Sequence, residues 1–297
     1  MKPYNTLPVI TQTFIISTNA QIDNETFFER IHCAELLEPL SKKYRMQVLG
    51  LNQSLPDGSV LYCEYKGIKK GTVFKPKKKS TRIAKFMLNC ITLIFKHKTK
   101  FFNIKVSNKG NIQITGCQTD QQPSDILTQL WSLLMAYNIT ISCSAPTVQA
   151  FKFSVMCNVH FHIGFSVQRA ILSEMINKET KFVSIFEPSN GYVGVNIKMD
   201  VEEEMIVDAP IVKAQFDGTQ WIFSDDPVPY KDYLDTLTRK ERKRKEANGV
   251  CNSFLVFHSG KAIMSGGVSF KNREKAYKLF FDIINKFRGQ IESTSRA

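Results

Sequence analysis

Cysteine is sparse and unpaired in pattern: seven residues (Cys33, Cys63, Cys90, Cys117, Cys143, Cys157 and Cys251), odd in number, scattered, and without a single C-x-x-C pair. That spacing offers neither a disulfide framework nor a thiolate zinc site, so a reducing compartment is expected. No apolar run reaches the roughly 20 residues that a bilayer demands, and Met-Lys-Pro-Tyr at the start leads into no apolar secretory segment. No membrane partner is expected. Acidic residues are in deficit, with 27 Asp and Glu facing 40 Lys and Arg, and the resulting charge of +13 favours a polyanionic partner. Charge alone does not separate DNA from RNA or from an anionic surface.

Catalytic parts are missing too. His160-Phe161-His162 puts two imidazoles on one side of a strand, but no Asp, Glu or Cys stands at a telling offset nearby. Glu202-Glu203-Glu204 and Asp225-Asp226 offer oxygens to a hard cation, yet they lie in a loop-like stretch where they offset basic neighbours. Ser259-Gly260-Lys261 lacks the glycine-rich lead of a phosphate-binding loop, and a strand follows where a helix N-terminus is required. The residues predict no enzyme, no metal and no cofactor.

What is present is a duplicated pattern. Asn252 to Gly267 reads as a β-hairpin: an apolar strand to Phe257, a turn at His258-Ser259-Gly260, a second strand to Ser265 and a glycine stop. Gly110 to Gly116 repeats the form after the alternating residues Phe102, Ile104 and Val106. The paired glycines, 110 with 260 and 116 with 266, are each 150 positions apart, which is half the chain and the mark of an internal duplication. An amphipathic helix follows each hairpin: Ile126, Leu127, Leu130, Trp131 and Leu134 behind Pro123 and Ser124, then Tyr277, Phe280, Phe281, Ile284 and Phe287 before Gly289. Both stripes read as core.

The halves also begin alike. Residues 9 to 17 have strand character, and Asp23 caps a helix carrying Phe27, Phe28 and Ile31. From Phe151 to Ile163 every odd residue is apolar, leaving Lys152, Ser154, Asn158, His160 and His162 on the other face with Met156 the exception; Ser166 then opens a helix with Val167, Ala170, Ile171 and Met175. Between these landmarks the first half carries strands near 46–49, 59–65 and 86–95 and a basic run, Lys69 to Arg82. The second carries Lys181 to Lys198 and then about fifty residues, acidic first and basic last (Arg239 to Lys245). For the basic runs two readings stay open, a solvated loop or an arm on phosphates. The expected boundaries are 1–145 for the first repeat and 146–297 for the second, with the charged insertion at about 200–249.

The motifs resemble the TATA-box-binding protein family. Phe257-His-Ser-Gly-Lys-Ala-Ile-Met-Ser-Gly266 is similar to the family's Phe-x-Ser-Gly-Lys-x-x-x-Thr-Gly hairpin, and Ser107 to Gly116 is a looser version. Phe186-Glu-Pro and the strand to Lys198 resemble the family's Tyr-Glu-Pro segment. The length, the charged insertions and Gly-Val-Asn-Ile-Lys look more like the divergent versions in large cytoplasmic DNA viruses than the cellular protein.

The resemblance implies an α+β saddle: two pseudo-symmetric repeats joined into one curved antiparallel sheet, helices on the convex face, the concave face entering the minor groove of double-stranded DNA and wedging base steps apart. Carried over by position, Phe257 and Tyr192 are wedges, Lys198 meets phosphate, and Ile263 and Ser265 face the groove. In the first half Thr115 fits, while Leu88 and Val106 stand where the family has phenylalanines and Gln113 where it has an aliphatic residue. The positions nearest the family's base-reading asparagines are Thr11 and Lys152. The function implied is transcription initiation with a TFIIB-like factor and RNA polymerase, in a viral factory in host cytoplasm or in the virion if the chain is viral, and otherwise in the nucleus. The alternatives are a nucleic-acid-processing enzyme on the same fold and a basic DNA-packaging protein.

Overall fold

The computed structural model describes residues 2–34, 55–72, 88–191, 193–246, 249–267 and 269–293. The expected strand at 46–49, and residues 73–82 of the first basic run, lie outside that range. The first half holds β1 (Val9–Thr18), β2 (Ala20–Ile22), α1 (Asn24–Arg30), β3 (Val60–Tyr65), β4 (Ile68–Gly71), β5 (Cys90–His97), β6 (Lys100–Ser107), β7 (Asn111–Cys117), α2 (Gln122–Ala136) and β8 (Ile141–Cys143). The second holds β9 (Gln149–His162), α3 (Arg169–Glu179), β10 (Val183–Ile185), β11 (Gly194–Asp200), α4 (Glu203–Val207), β12 (Pro210–Phe216), β13 (Trp221–Phe223) and β14 (Val228–Pro229). It continues with α5 (Tyr230–Asp235), α6 (Arg239–Glu246), β15 (Cys251–Phe257), β16 (Lys261–Gly266) and α7 (Phe270–Ile291). The result is α+β, built on antiparallel strands.

The chain divides into two compact units, a C-unit of residues 1–12, 153–211 and 227–297 and an N-unit of 13–152 and 212–226. The chain passes from one to the other inside β1, β9 and β12. In the N-unit the strands run β1-β7-β6-β5-β3-β4, and in the C-unit β9-β16-β15-β11-β10. Apart from β2, β4 and β8 of the N-unit and the insertion between β11 and β15, both units share an order of elements: a strand, a helix, an outer strand, an inner strand, a hairpin that returns beside the first strand, and a closing helix.

The N-unit core forms because alternate residues of β5, β6 and β7 are apolar and point one way. Ile91, Leu93, Phe95, Phe102, Ile104, Val106, Ile112 and Ile114 are fully buried, under Phe27 of α1 and Leu127, Leu130 and Trp131 of α2. In the C-unit Phe254, Val256, Met264, Val195 and Ile197 lie under Tyr277, Phe280, Ile284 and Phe287 of α7. Phe254 stacks on Phe280 with centroids 4.3 Å apart. Such an aromatic pair adds about 0.5–1.5 kcal/mol to the area it buries. Helix α7 runs past Gly289 to Ile291, because nothing lies within 4 Å of where that glycine's side chain would be and no left-handed turn is imposed there. Helix α3 starts at Arg169 and not at Ser166, since Val167 bridges to Glu292 and Ser166 O accepts from the Ser293 N–H.

The largest departure from expectation is the insertion, which is folded. β12 pairs with β9 from Val212↔Lys152 to Gln215↔Gln149, and β13 pairs back on β12. Phe216 and Trp221 then close on Trp131, with ring centroids 5.8 and 5.0 Å away. Charge at its ends had hidden a short apolar hairpin. Residues 150–153 of β9 are all buried, against the alternation read from the sequence: the Lys152 ammonium is held by Asp120 O and Ser124 Oγ beside the Phe223 ring of the insertion, and Phe153 packs on Tyr230 and Tyr233.

Two outcomes test this packing. Trp221→Ala, at a position 6% exposed against Trp131, should cost about 3–5 kcal/mol in a urea melt; a loss under 1 kcal/mol would mean the insertion hairpin is not part of the core. Asp23 caps α1, its carboxylate accepting from the Thr26 and Glu25 N–H groups at 3.1 and 3.2 Å. The Thr26 hydroxyl and backbone N–H hold its pKa below the usual 3.8. A folded-state pKa below the unfolded one stabilises above the ordinary value and is lost as pH falls through the depressed one. Asp23→Ala should cost about 1 kcal/mol at neutral pH, and the gap to the parent protein should close as acid protonates the cap.

Candidate nucleic-acid interface

The strand alternation that builds each core leaves a second, half-buried face on each unit. In the C-unit the register lines up Ile185, Asn196, Leu255, Ile263 and His160 across five strands. A second row runs Val183, Lys198, Ser253, Ser265 and Asn158. Phe257 stands at the end of β15 opposite Gly194. A Cβ at Gly194 would lie 2.8 Å from Leu255 Cδ1, so glycine keeps this face clear beside the phenyl ring. Lys198, Phe257, Ile263 and Ser265 are thus brought onto one surface, with the core residues Phe254, Val256, Ala262 and Met264 on the reverse.

Phe257 borders a recess of about 820 Å³ walled also by Leu7, Pro8, Phe161 and Ile263, with the cations Lys2 and Lys261, the imidazoles of His160 and His162, and no carboxylate. The Nδ1 of His162 accepts the Gly164 N–H at 2.9 Å, which leaves the proton of the neutral ring on Nε2. Lys2 is held by its carbonyl, which accepts from the Tyr277 hydroxyl at 3.1 Å; burial raises that phenol's pKa and keeps it a donor. An aromatic ring, aliphatic neighbours and cations without counter-charge suit a ligand with flat apolar faces and anionic edges.

The N-unit face has the same geometry and different chemistry. Its rows are Tyr62, Ile94, Asn103 and Thr115, then Glu64, Thr92, Lys105 and Gln113. The Thr115 hydroxyl accepts from Thr13 Oγ1 at 3.3 Å and from Gln113 Nε2 at 3.4 Å. The four hairpin pairings, Asn103↔Thr115, Ile104↔Ile114, Lys105↔Gln113 and Val106↔Ile112, recur 150 residues later as Ser253↔Ser265, Phe254↔Met264, Leu255↔Ile263 and Val256↔Ala262. The turns agree as well. Gly110 and Gly260, at φ 73° and 78°, donate to Ser107 O and Phe257 O at 3.0 Å, and a Cβ on either would collide with a carbonyl, Ala20 O or Phe165 O.

Several expected site residues stand elsewhere. Val106 is fully buried in the N-unit core, so it does not lie on the open face where a wedge would stand; the alternation of Phe102, Ile104 and Val106 had already placed it inward. The register counterpart of Phe257 is Ser107. Lys152 is 8% exposed, donates to Asp120 O at 2.9 Å and Ser124 Oγ at 2.7 Å, and has its pKa pushed down by burial, so it is not an open-face contact. Leu88 is exposed in the turn before β5, Thr11 is half-buried on β1, and Tyr192 lies outside the described residues. Asn196, Leu255 and His160 share the rows above with the expected residues; the signal was their alternation with Val195, Phe254 and Val159.

The second basic run is helical where a loop or an arm was expected, and of the first run only 69–72 lie within the described residues. Arg239–Glu246 is a helix, with Arg242 tied to Asp235 at 2.7 Å and Glu246 at 2.8 Å, while Arg239, Lys240 and Lys243 project exposed. Lys70, in β4, donates to Phe28 O at 2.6 Å.

No family model matches this sequence, and no curated protein matches it. Among solved structures, Methanococcus jannaschii TBP aligns over 94% of this chain and 98% of its own, with 11% identity and a TM-score of 0.44.

The two faces of β15 can be separated by substitution. Phe254→Ala, in the core, should cost about 3–5 kcal/mol in denaturant, whereas Phe257→Ala should cost under about 1 kcal/mol because it opens no closed cavity. The reverse order would invert the face assignment.

Proposed function

We propose that this chain is a transcription initiation factor of the TATA-box-binding type, binding promoter duplex DNA through the minor groove and recruiting a TFIIB-like factor and RNA polymerase. The observation that carries the reading is the hairpin repeated in the same register 150 residues apart, each copy giving one face to a core and the other to the surface. Taken with the Phe257 to Gly266 and Phe186 to Lys198 motifs, it favours two pseudo-equivalent repeats, each presenting a sheet to DNA.

Wedging between base steps is the family's own mechanism, and the chemistry of these faces divides its labour. Phe257, Leu255 and Ile263 supply apolar contact in the C-unit, and Phe257 inserts at a base step. Asn103, Lys105, Gln113 and Thr115 supply hydrogen bonds and charge in the N-unit. With serine at 107 and with Lys152 turned inward, the N-unit deforms the duplex less and the base-reading asparagines of the family have no counterpart at these positions. Preference then arises from the deformability of the step that takes Phe257 rather than from a TATA code. The role is binding, not catalysis.

A fluorescence bending assay with duplexes of varied sequence tests this reading. Phe257→Ala should reduce both the bend and specific affinity several-fold to a hundredfold, about 1–3 kcal/mol at about 1.4 kcal/mol per tenfold. Full retention of bending by that variant would remove the wedge. Neutralising n contacting residues among Arg239, Lys240 and Lys243 should flatten the log K against log salt slope by about 0.9n with no change in sequence ratio. A parent protein that shows no sequence ratio would be a packaging protein, and one that alters the duplex covalently would be an enzyme.

A further inference from the structure

The C-unit has a second cavity, of about 360 Å³, lined by none of the residues that wall the recess beside Phe257. Strand β9 supplies Phe153, Ser154 and Val155, and the insertion helices supply Ile206, Tyr230 and Leu234. Its floor is apolar and closed: Phe153, Ile211 and Leu234 are each under 10% exposed. A volume of this order is at the lower end of small-ligand sites, which pair apolar walls with a few placed polar groups.

The charged groups here are mostly carboxylates. The exposed charged residues that line the cavity, and so form its mouth, are Asp200, Glu203, Glu246 and Lys245. Glu246 is neutralised by Arg242 at 2.8 Å, whereas Asp200 and Glu203 have no ion-pair partner among the described residues. In a chain of net charge +13 with exposed lysines in abundance, two uncompensated carboxylates over an apolar hollow stand out against their surroundings. They disfavour phosphate, which separates this cavity from the cationic recess beside Phe257.

A third observation points to the same ligand sign. Phe153, Tyr230 and Tyr233 form a three-ring cluster with centroids 5.1–5.4 Å apart. The ammonium of Lys245 lies 5.9 Å from the Phe153 centroid and 5.7 Å from that of Tyr233. The negative ring faces attract cations, and the chain's own lysine is already placed on them. Burial raises the pKa of the Tyr230 phenol, so this ring stays neutral. Ser154 Oγ, buried and without a hydrogen-bond partner, adds one uncommitted polar atom to the lining.

We propose that this cavity binds a small amphipathic cation, with its apolar body against Ile211 and Leu234 and its ammonium head held by Asp200, Glu203 and the ring faces of Phe153 and Tyr230. Lys245 is the internal competitor for the ring faces. No covalent step is involved.

Isothermal titration in the absence of DNA tests it, with hexyltrimethylammonium as the probe and hexanol and hexanoate as neutral and anionic probes of the same length. Saturable one-to-one binding of the ammonium, at least tenfold tighter than either control, is expected. Asp200→Asn with Glu203→Gln should weaken it at least tenfold; Lys245→Met should tighten it several-fold by freeing the rings. Equal binding of the three probes, absence of saturable binding, or no response to either change would overturn the proposal. Both substitutions lie on exposed positions, and a matched thermal melt identifies a variant that fails to fold, in which case Lys245→Met alone decides. Because no DNA is present, neither result bears on the groove-binding reading.

Discussion

A strand can offer only two faces, and in both units one of them is committed to an apolar core under helices. Every other feature depends on that segregation. Phe254 and Val256 are buried because helix α7 supplies Phe280 and Ile284 to meet them, and Leu255 and Phe257 are left on the surface by the same alternation. A one-residue slip in β15 would exchange the two sets, putting Phe257 under the helix and Phe254 outside. The turn glycines and the four-pair registers of the hairpins forbid that slip, which is why the surface rows are as well defined as the core.

Surface chemistry is where the two units part. The inward residues of the hairpins are exchanged only among apolar types, Ile104 for Phe254 and Ile114 for Met264, so both cores remain close-packed. The outward residues exchange apolar for polar: Leu255 for Lys105, Ile263 for Gln113, Phe257 for Ser107. A partner that touched both faces would meet an apolar surface at one and hydrogen-bonding groups at the other, and would have a preferred direction of binding.

The hairpins, the closing helices and the Asp23 cap were legible because each rests on local rules, alternation, a 3.6-residue stripe, or a carboxylate one residue before a helix. The open-face rows followed from the same alternation. What escaped was set by distant contacts. Nothing near Trp221 in sequence announces that it will pack on Trp131, and the charged ends of its segment suggested solvent. Lys152 reads as an outward residue until Asp120 O and Ser124 Oγ take its ammonium beside the Phe223 ring of the insertion. Val106 is a different error, in which a position carried over from a family overrode the alternation of Phe102 and Ile104 beside it.

The N–H of Arg273 Nε donates to the Tyr4 hydroxyl across 269 residues of sequence, and Tyr4 and Leu7 belong to the core closed by α7. An early segment of the chain therefore belongs to a unit that is completed only when α7 is in place. At about 5–20 residues per second the N-terminal segment is held out of its final place for roughly 15 to 60 s, until α7 emerges. The N-unit waits too, since residues 212–226 complete it. A cut near the middle of the chain would separate the two hairpins in sequence but would deliver neither unit as a finished body: one fragment would lack its Trp221 hairpin, the other its Tyr4 strap. The halves marked by the 150-residue spacing of the hairpins and the compact units of the fold are different objects.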